Sequence, residues 1–357
     1  MIRRNTRTVN VGGVEIGGNS PISIQSMTNT DTHNIDATYD QTMRLYEAGC
    51  DIVRITAPDL ESVRTFEVLK ARGVPVPLVA DIHFNHEIAI ACADAGVDKI
   101  RINPGNIGSE ERVAAVVEAC RRNNTPIRIG VNSGSLEKHI LARHGAPTAA
   151  ALAESALYHA SLLERYDYRN ILLSVKASDT RTMIAANRIL AEKTDYPLHL
   201  GVTEAGGGDS ALVKSAIGIG TLLAEGIGDT VRVSLTDDPV NEIYAAREIL
   251  RALALDKRGG MDIVACPTCG RTKINLIPLL REFKERVRRE GLDSLNIKVA
   301  LMGCAVNGPG EAREADLGIA GGNGEGLIFK KGEILRKVPE DRLLDELILE
   351  IKGLIGK

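Results

Sequence analysis

The chain has 357 residues, a net charge of −3 and 44% hydrophobic residues, the make-up of a globular protein with one large domain and a smaller one. No Trp and only four Phe argue against a stacking platform for single-stranded nucleic acid; no apolar run reaches membrane-spanning length, and MIRRNTRTVN lacks the apolar core of a signal peptide. Six unevenly spaced cysteines are not a disulfide framework, so a reducing cytoplasm is the expected compartment, with neither nucleic acid nor membrane as a partner.

Residues 7–16 alternate around Gly12-Gly13 and predict a hairpin that caps the larger domain. From residue 20 to about 255 a strand-then-helix pattern repeats. The predicted strands are 22–27, 52–56, 78–83, 99–103, 127–132, 171–177, 198–204 and 230–236. Amphipathic helices lie between them, with Asp36, Asp59, Ser109, Asp179 and Asp209 as opening residues. Eight such units predict a TIM (β/α)8 barrel over residues 1–258, with a doubly wound open sheet as the other arrangement of the same pattern.

Polar residues occupy one face of these strands. Lys99, Arg101 and Asn103 alternate with Ile100 and Ile102, and Arg128 and Asn132 with Ile127, Ile129 and Val131. Arg54 and Thr56, Asp81 and His83, Ser174 and Lys176, and Arg232 and Ser234 continue the series. Strand side chains alternate faces, so the apolar set meets the helices and the polar set points into the barrel. Five of the inward residues are cations: Arg54, Arg101, Arg128, Lys176 and Arg232. Asp81 and Glu204 can match two of them, so a multiply charged anion such as a diphosphate is the expected ligand. Glu204 lies in Thr203-Glu204-Ala-Gly206-Gly207-Gly208-Asp209, after the seventh strand, where barrels often bind phosphate. Cys50, Cys92 and Cys120 have no ligand spacing and read as small core residues.

After Arg258-Gly259-Gly260 the pattern changes to a small α+β domain, residues 259–357. Strands at 262–265 and 297–302 deliver Cys266 and Cys304; a helix spans about 275–289; antiparallel strands at 316–320 and 327–338 come next, and 340–355 form a closing helix. Cys266-Pro-Thr-Cys269 has the C-x-x-C spacing, and Cys304 is followed seven residues later by Glu311. The spacing admits an iron–sulfur cluster, a structural zinc or a redox pair. Three sulfurs on a cluster leave one iron for a weaker, exchangeable ligand, a role open to Glu311.

CPTCGR (266–271) followed by MGCAVNGPGE (302–311) resembles the bacterial hydroxymethylbutenyl diphosphate synthase family, iron–sulfur enzymes of non-mevalonate isoprenoid synthesis. VRIT (53–56), RINPGNIG (101–108), RIGVNSGSL (128–136), SVKASD (174–179) and GVTEAG (201–206) extend the resemblance along the chain. It implies reductive ring opening of methylerythritol cyclodiphosphate by an oxidoreductase carrying a [4Fe-4S] cluster on Cys266, Cys269, Cys304 and Glu311. It also implies substrate binding by Arg54, Arg101, Arg128 and Lys176, with Asp81, Asn103, Asn132, Arg232 and Ser234 around them. Glu204 is the implied acid–base group, buried beside the ligand. Without a flavin or nicotinamide motif, the implied electron donor is ferredoxin or flavodoxin.

A shared active site is expected as well. A barrel helix runs antiparallel to its strand, so the eighth delivers the chain to the face opposite the mouth. A linker over about 256–261 reaches at most ~20 Å. A head-to-tail homodimer, each cluster domain over the partner's barrel, would bring the two halves together.

Overall fold

Valines and an isoleucine alternate with polar residues on either side of Gly12-Gly13, and both glycines take positive φ, 55° and 93°, as a two-residue hairpin turn demands. The computed structural model describes residues 2–256, 258–304 and 312–354, which fall into two units, Met1–Asp256 and Lys257–Lys357. The hairpin strands β1 (Val9–Val11) and β2 (Val14–Ile16) begin the first unit. Val9, Val11 and Ile16 bury against Ile52, Val79 and Leu172, residues at or near the starts of barrel strands. The hairpin therefore plugs the bottom of the barrel, and burial of each of these side chains contributes about 1.5–3 kcal/mol.

Eight strands complete the unit: β3 (Ser23–Met27), β4 (Ile52–Thr56), β5 (Leu78–Asp81), β6 (Lys99–Ile102), β7 (Ile127–Asn132), β8 (Ile171–Lys176), β9 (His199–Leu200) and β10 (Thr230–Val231). They form one parallel sheet in the order β8-β7-β6-β5-β4-β3-β10-β9, and a bridge between Leu173 and Leu198 joins its ends. This is the predicted (β/α)8 barrel. Its apolar face, including Ile55, Ile100, Ile102, Ile129 and Val175, is buried in the main core. Three caps lie beside the predicted residues: Asn34 rather than Asp36 precedes the helix Ile35–Glu47, Ser62 rather than Asp59 the helix Val63–Ala71, and Gly207 rather than Asp209 the helix Gly208–Ala224. Asp179 caps as expected, accepting a bond from the Thr182 amide.

The last two strands are shorter than the sequence predicts. Arg232 still donates its amide to Leu200 O at 2.9 Å, but three residues on, the Leu235 amide bonds to the Glu242 carboxylate instead of a neighbouring strand. A helix side chain has taken over from the ladder.

In the second unit, β11 (Asp262–Ala265), β12 (Lys298–Met302), β13 (Leu317–Gly321), β14 (Glu325–Lys330) and β15 (Glu333–Pro339) form a sheet in sequence order. β13 runs parallel to β12 and antiparallel to β14. The segment expected to be one strand at 327–338 is folded back on itself. Lys331 and Gly332 take φ of 49° and 81°, turning β14 into β15. Helices Leu276–Arg289 and Leu343–Leu354 bury Phe283, Val287, Leu347 and Ile351 in this unit's own core.

Candidate active site

The inward strand positions converge on a cavity of about 470 Å³ at the C-terminal end of the barrel, walled by Arg54, Asp81, Arg101, Arg128, Asn132, Lys176, Arg232 and Ser234 with His83, Gly130, Ser174 and Thr203. Eight of the nine predicted pocket residues line it. Asn103 does not; it is buried just past the end of β6.

Asp81 is the acid within this wall. Arg101 donates to it at 3.1 Å and Arg54 lies 3.7 Å away. Burial alone would raise its pKa, but the two guanidiniums prevail and hold the carboxyl well below the usual range. Arg232 has a counter-charge that the sequence did not reveal. Glu242, on the helix Pro239–Ala252, receives it at 3.1 and 3.2 Å and also accepts Ser26 Oγ at 2.8 Å. Glu242, rather than Glu204, is thus the second acid that balances the interior cations.

Two of the five predicted cavity cations have no ion pair among the described residues. Arg128 is 1% exposed, with Nε and Nη1 unpartnered, and Lys176 is 7% exposed without an ion pair. Such uncompensated burial costs several kcal/mol, and it is the arrangement an anion would relieve. Two glycines make room for cavity side chains. A Cβ on Gly130 would stand 2.4 Å from Arg101 Nε, and one on Gly201 3.0 Å from Lys176 Nζ. A glycine inside a strand signals close approach, and that signal could have found both, Gly130 within β7 and Gly201 within the strand predicted at 198–204. Gly218 instead serves packing, since a Cβ there would meet Met183 and Val202 at 2.7 Å.

Glu204 departs from its expected setting. It is exposed, in the loop after β9, with a φ of 52°, and it is absent from the cavity wall. Gly206 and Gly208 in the same loop take positive φ, 93° and 60°, with open space where a Cβ would project. A side chain there would be strained even without a clash.

In the second unit, Cys266, Cys269 and Cys304 line one cavity of about 620 Å³ with Thr268, Arg271, Thr272, Met302 and Gly303. Cys266 follows β11 and Cys304 follows β12, adjacent parallel strands. The Gly303 amide donates to Cys266 Sγ at 3.2 Å. Hydrogen bonds from the Arg271 backbone and then its side chain lower the Cys269 pKa, favouring thiolate. Among the described residues no three His, Cys, Asp or Glu side chains gather as a single-ion site. Three thiols lining one cavity are the ligand type that an iron–sulfur cluster takes, and amide donors to sulfur are among the features that tune such clusters. Glu311 lies outside the described residues.

Fold and site together define a (β/α)8-barrel protein with a cationic mouth, joined in one chain to an α+β unit that carries three clustered thiols. The GcpE TIM-barrel domain matches residues 6–247 and the GcpE protein C-terminal domain residues 262–353, and the chain belongs to the GcpE family. It is 56% identical to the 4-hydroxy-3-methylbut-2-en-1-yl diphosphate synthase (flavodoxin) of Clostridium perfringens, covering 98% of both chains. It is 51% identical to the enzyme of the same name from Geobacter sulfurreducens, covering 100% of this chain and 99% of the other. Dihydropteroate synthase from Stenotrophomonas maltophilia superposes with a TM-score of 0.52 at 15% identity, over 70% of this chain and 99% of that one, a likeness of fold alone.

Proposed function

We infer that the chain is an oxidoreductase converting 2-C-methyl-D-erythritol 2,4-cyclodiphosphate to 4-hydroxy-3-methylbut-2-enyl diphosphate in the non-mevalonate isoprenoid pathway. The observation that carries this reading is the family match along both units, with a cationic cavity in one and clustered thiols in the other. In the reaction one ring carbon–oxygen bond to phosphate breaks, a hydroxyl leaves with a proton as water, and a carbon–carbon double bond forms as two electrons enter. Arg54, Arg101, Arg128, Lys176 and Arg232 hold the diphosphate, Asp81 fixes the first two arginines, and Asn132 and Ser234 offer neutral hydrogen bonds. Glu204 hands a proton to the departing hydroxyl and, being exposed, reloads from solvent.

Cys266, Cys269 and Cys304 would hold a [4Fe-4S] cluster, with Glu311 as the fourth, exchangeable ligand. Bound there, the cluster supplies electrons singly and a Lewis-acidic iron. The relatives' names carry flavodoxin, and flavodoxin, or ferredoxin in its place, is the donor we assign here. A cytoplasmic setting suits such a partner. No helix among the described residues is long and apolar enough to cross a membrane. Anaerobically purified protein should be brown, absorb broadly near ~400 nm and turn over the cyclic diphosphate with reduced flavodoxin. A colourless zinc protein without turnover would overturn the reading.

The active site, we further propose, is shared in a head-to-tail homodimer, because the linker after the helix Pro239–Ala252 is too short to carry the second unit round its own barrel. Mixing Glu204→Gln with Cys266→Ser subunits tests this. A heterodimer with shared sites has one site with both defects and one with neither, and activity returns. If confirmed heterodimers stay inactive, the sites are not shared.

A further inference from the structure

The barrel interior carries more positive charge than its own acids balance. The guanidiniums of Arg54 on β4, Arg101 on β6, Arg128 on β7 and Arg232 just past β10 stay charged at any working pH. Among the described residues, only Asp81 on β5 and Glu242 on the helix Pro239–Ala252 oppose them by ion pairs. Among the described residues the same interior holds three buried groups able to shed a proton, Lys176 on β8, Lys99 on β6 and His199 on β9, while His83 at the cavity wall is exposed. Lys99 reaches only Gln25 Oε1, at 3.3 Å, and both His199 ring nitrogens are unpartnered. Another charge among desolvated cations is a cost that a lysine or histidine avoids by staying neutral.

We propose that the anionic substrate and a proton bind together, the proton passing from solvent to Lys176 Nζ as the cavity fills. The proposal rests on the functional reading above. Lys176 is the one of the three that lines the cavity, and the missing Cβ of Gly201 leaves space beside its Nζ. Around it stand Arg128, Arg101, Arg54 and Arg232, with Asp81 and His83 across the cavity and His199 on the adjoining strand. Burial first, and then those four guanidiniums, push its pKa well below the ordinary lysine value in the empty site. Burial first, and then neighbouring cations that include Arg128 and Arg54, lower the pKa values of Lys99 and His199 as well, but neither lines the cavity. A diphosphate reverses the field at Nζ, and the neutral amine becomes an ammonium that donates to phosphate oxygens. Affinity therefore falls as pH rises between the ligand-free and ligand-bound pKa values of Lys176.

Isothermal titration calorimetry of the holoenzyme without electron donor, at pH 8 in buffers of different ionisation enthalpy, measures the uptake. The probe is the cyclic diphosphate, whose two ring phosphates each carry a single, already ionised acidic oxygen. The slope of heat against buffer enthalpy should give about one proton taken up per site. Lys176→Arg, which keeps the charge but cannot release it, should bind with the uptake gone. In the unaltered enzyme Kd should rise by up to ~10-fold per pH unit across the window, a reading independent of any variant. Binding with zero slope, or uptake that survives in Lys176→Arg, overturns the proposal and leaves the functional reading intact. No binding in any buffer overturns both.

Discussion

The two units gather their reactive side chains by opposite means. In the barrel the charged groups stand on strands, so the ladder spaces them: Arg128, Gly130 and Asn132 share one face of β7, and β6 sets Arg101 directly beside Arg128. In the second unit the thiols stand just past the ends of β11 and β12, in turns where Thr268 takes a φ of 64° and Cys269 is exposed. The barrel's own cysteines show a third setting. Cys50, Cys92 and Cys120 are buried, and burial pushes the first two up to about 12. A ladder thus preorganises charge before any ligand arrives, whereas the thiols take their places from turns at strand ends.

The largest effect should separate the two cysteine sets. Cys304→Ser removes one of three thiolates and should lose the brown colour, the iron and turnover, while circular dichroism shows the fold retained. Cys92→Ser should keep iron and turnover yet lose about 1–3 kcal/mol in urea unfolding, the penalty for a buried hydroxyl without a partner. Equal iron loss in both variants would erase the distinction drawn here.

A smaller effect should come from the strand glycines. Gly130→Ala forces a Cβ to within 2.4 Å of Arg101 Nε, and Arg101 cannot easily yield because Asp81 and the Gly130 carbonyl both hold it. Overpacking of this kind costs about 1–3 kcal/mol, and displacement of one guanidinium should lower kcat/KM about tenfold, chiefly through KM. Gly220→Ala is the control. It lies within the helix Gly208–Ala224 with nothing within 4 Å of the added carbon, and should stabilise by about 0.5–1 kcal/mol without changing KM. Equal KM for both variants would mean that the ladder does not hold Arg101 in a fixed place.

Particular residues show what the sequence made legible. Arg101 and Arg128 could be placed because a strand has period two and each is flanked by isoleucines. That rule fails where the ladder ends: β9 stops at Leu200, so alternation says nothing about Glu204, which is exposed. Asn103 lies one residue past β6 and escapes the cavity for the same reason. Glu242 was hidden in a different way, since a glutamate in a helix looks solvated until the fold sets it against Arg232. In the second unit the C-x-x-C pair and both delivering strands could be read, but β15 was not separable because Lys331-Gly332 sits inside an otherwise continuous strand pattern. Local periodicity carried the strands and their faces; pairings across the barrel had to come from the structure.

The smallest effect expected lies at the rim, where charge sits neither on a strand nor in a core. His33, in the loop after β3, places Nδ1 3.0 Å from Asp31 and Nε2 3.0 Å from Asp59, just beyond β4. The hydrogen bonds to Asp31 and then Asp59 raise its pKa above the ordinary histidine value. The folded value exceeds the unfolded one, so the imidazolium's contribution to stability is fully present below about pH 6.5, the unfolded midpoint, and is lost as pH rises through the folded midpoint. All three side chains are solvated, so the gain is small and salt should screen it. A ring-proton NMR titration should place the His33 midpoint above 6.5, Asp59→Asn should move it back towards that value, and 1 M salt should do so in part. A midpoint at or below 6.5 in the unaltered protein would show that exposed loop charges here do not hold one another as the strand-borne charges of the barrel do.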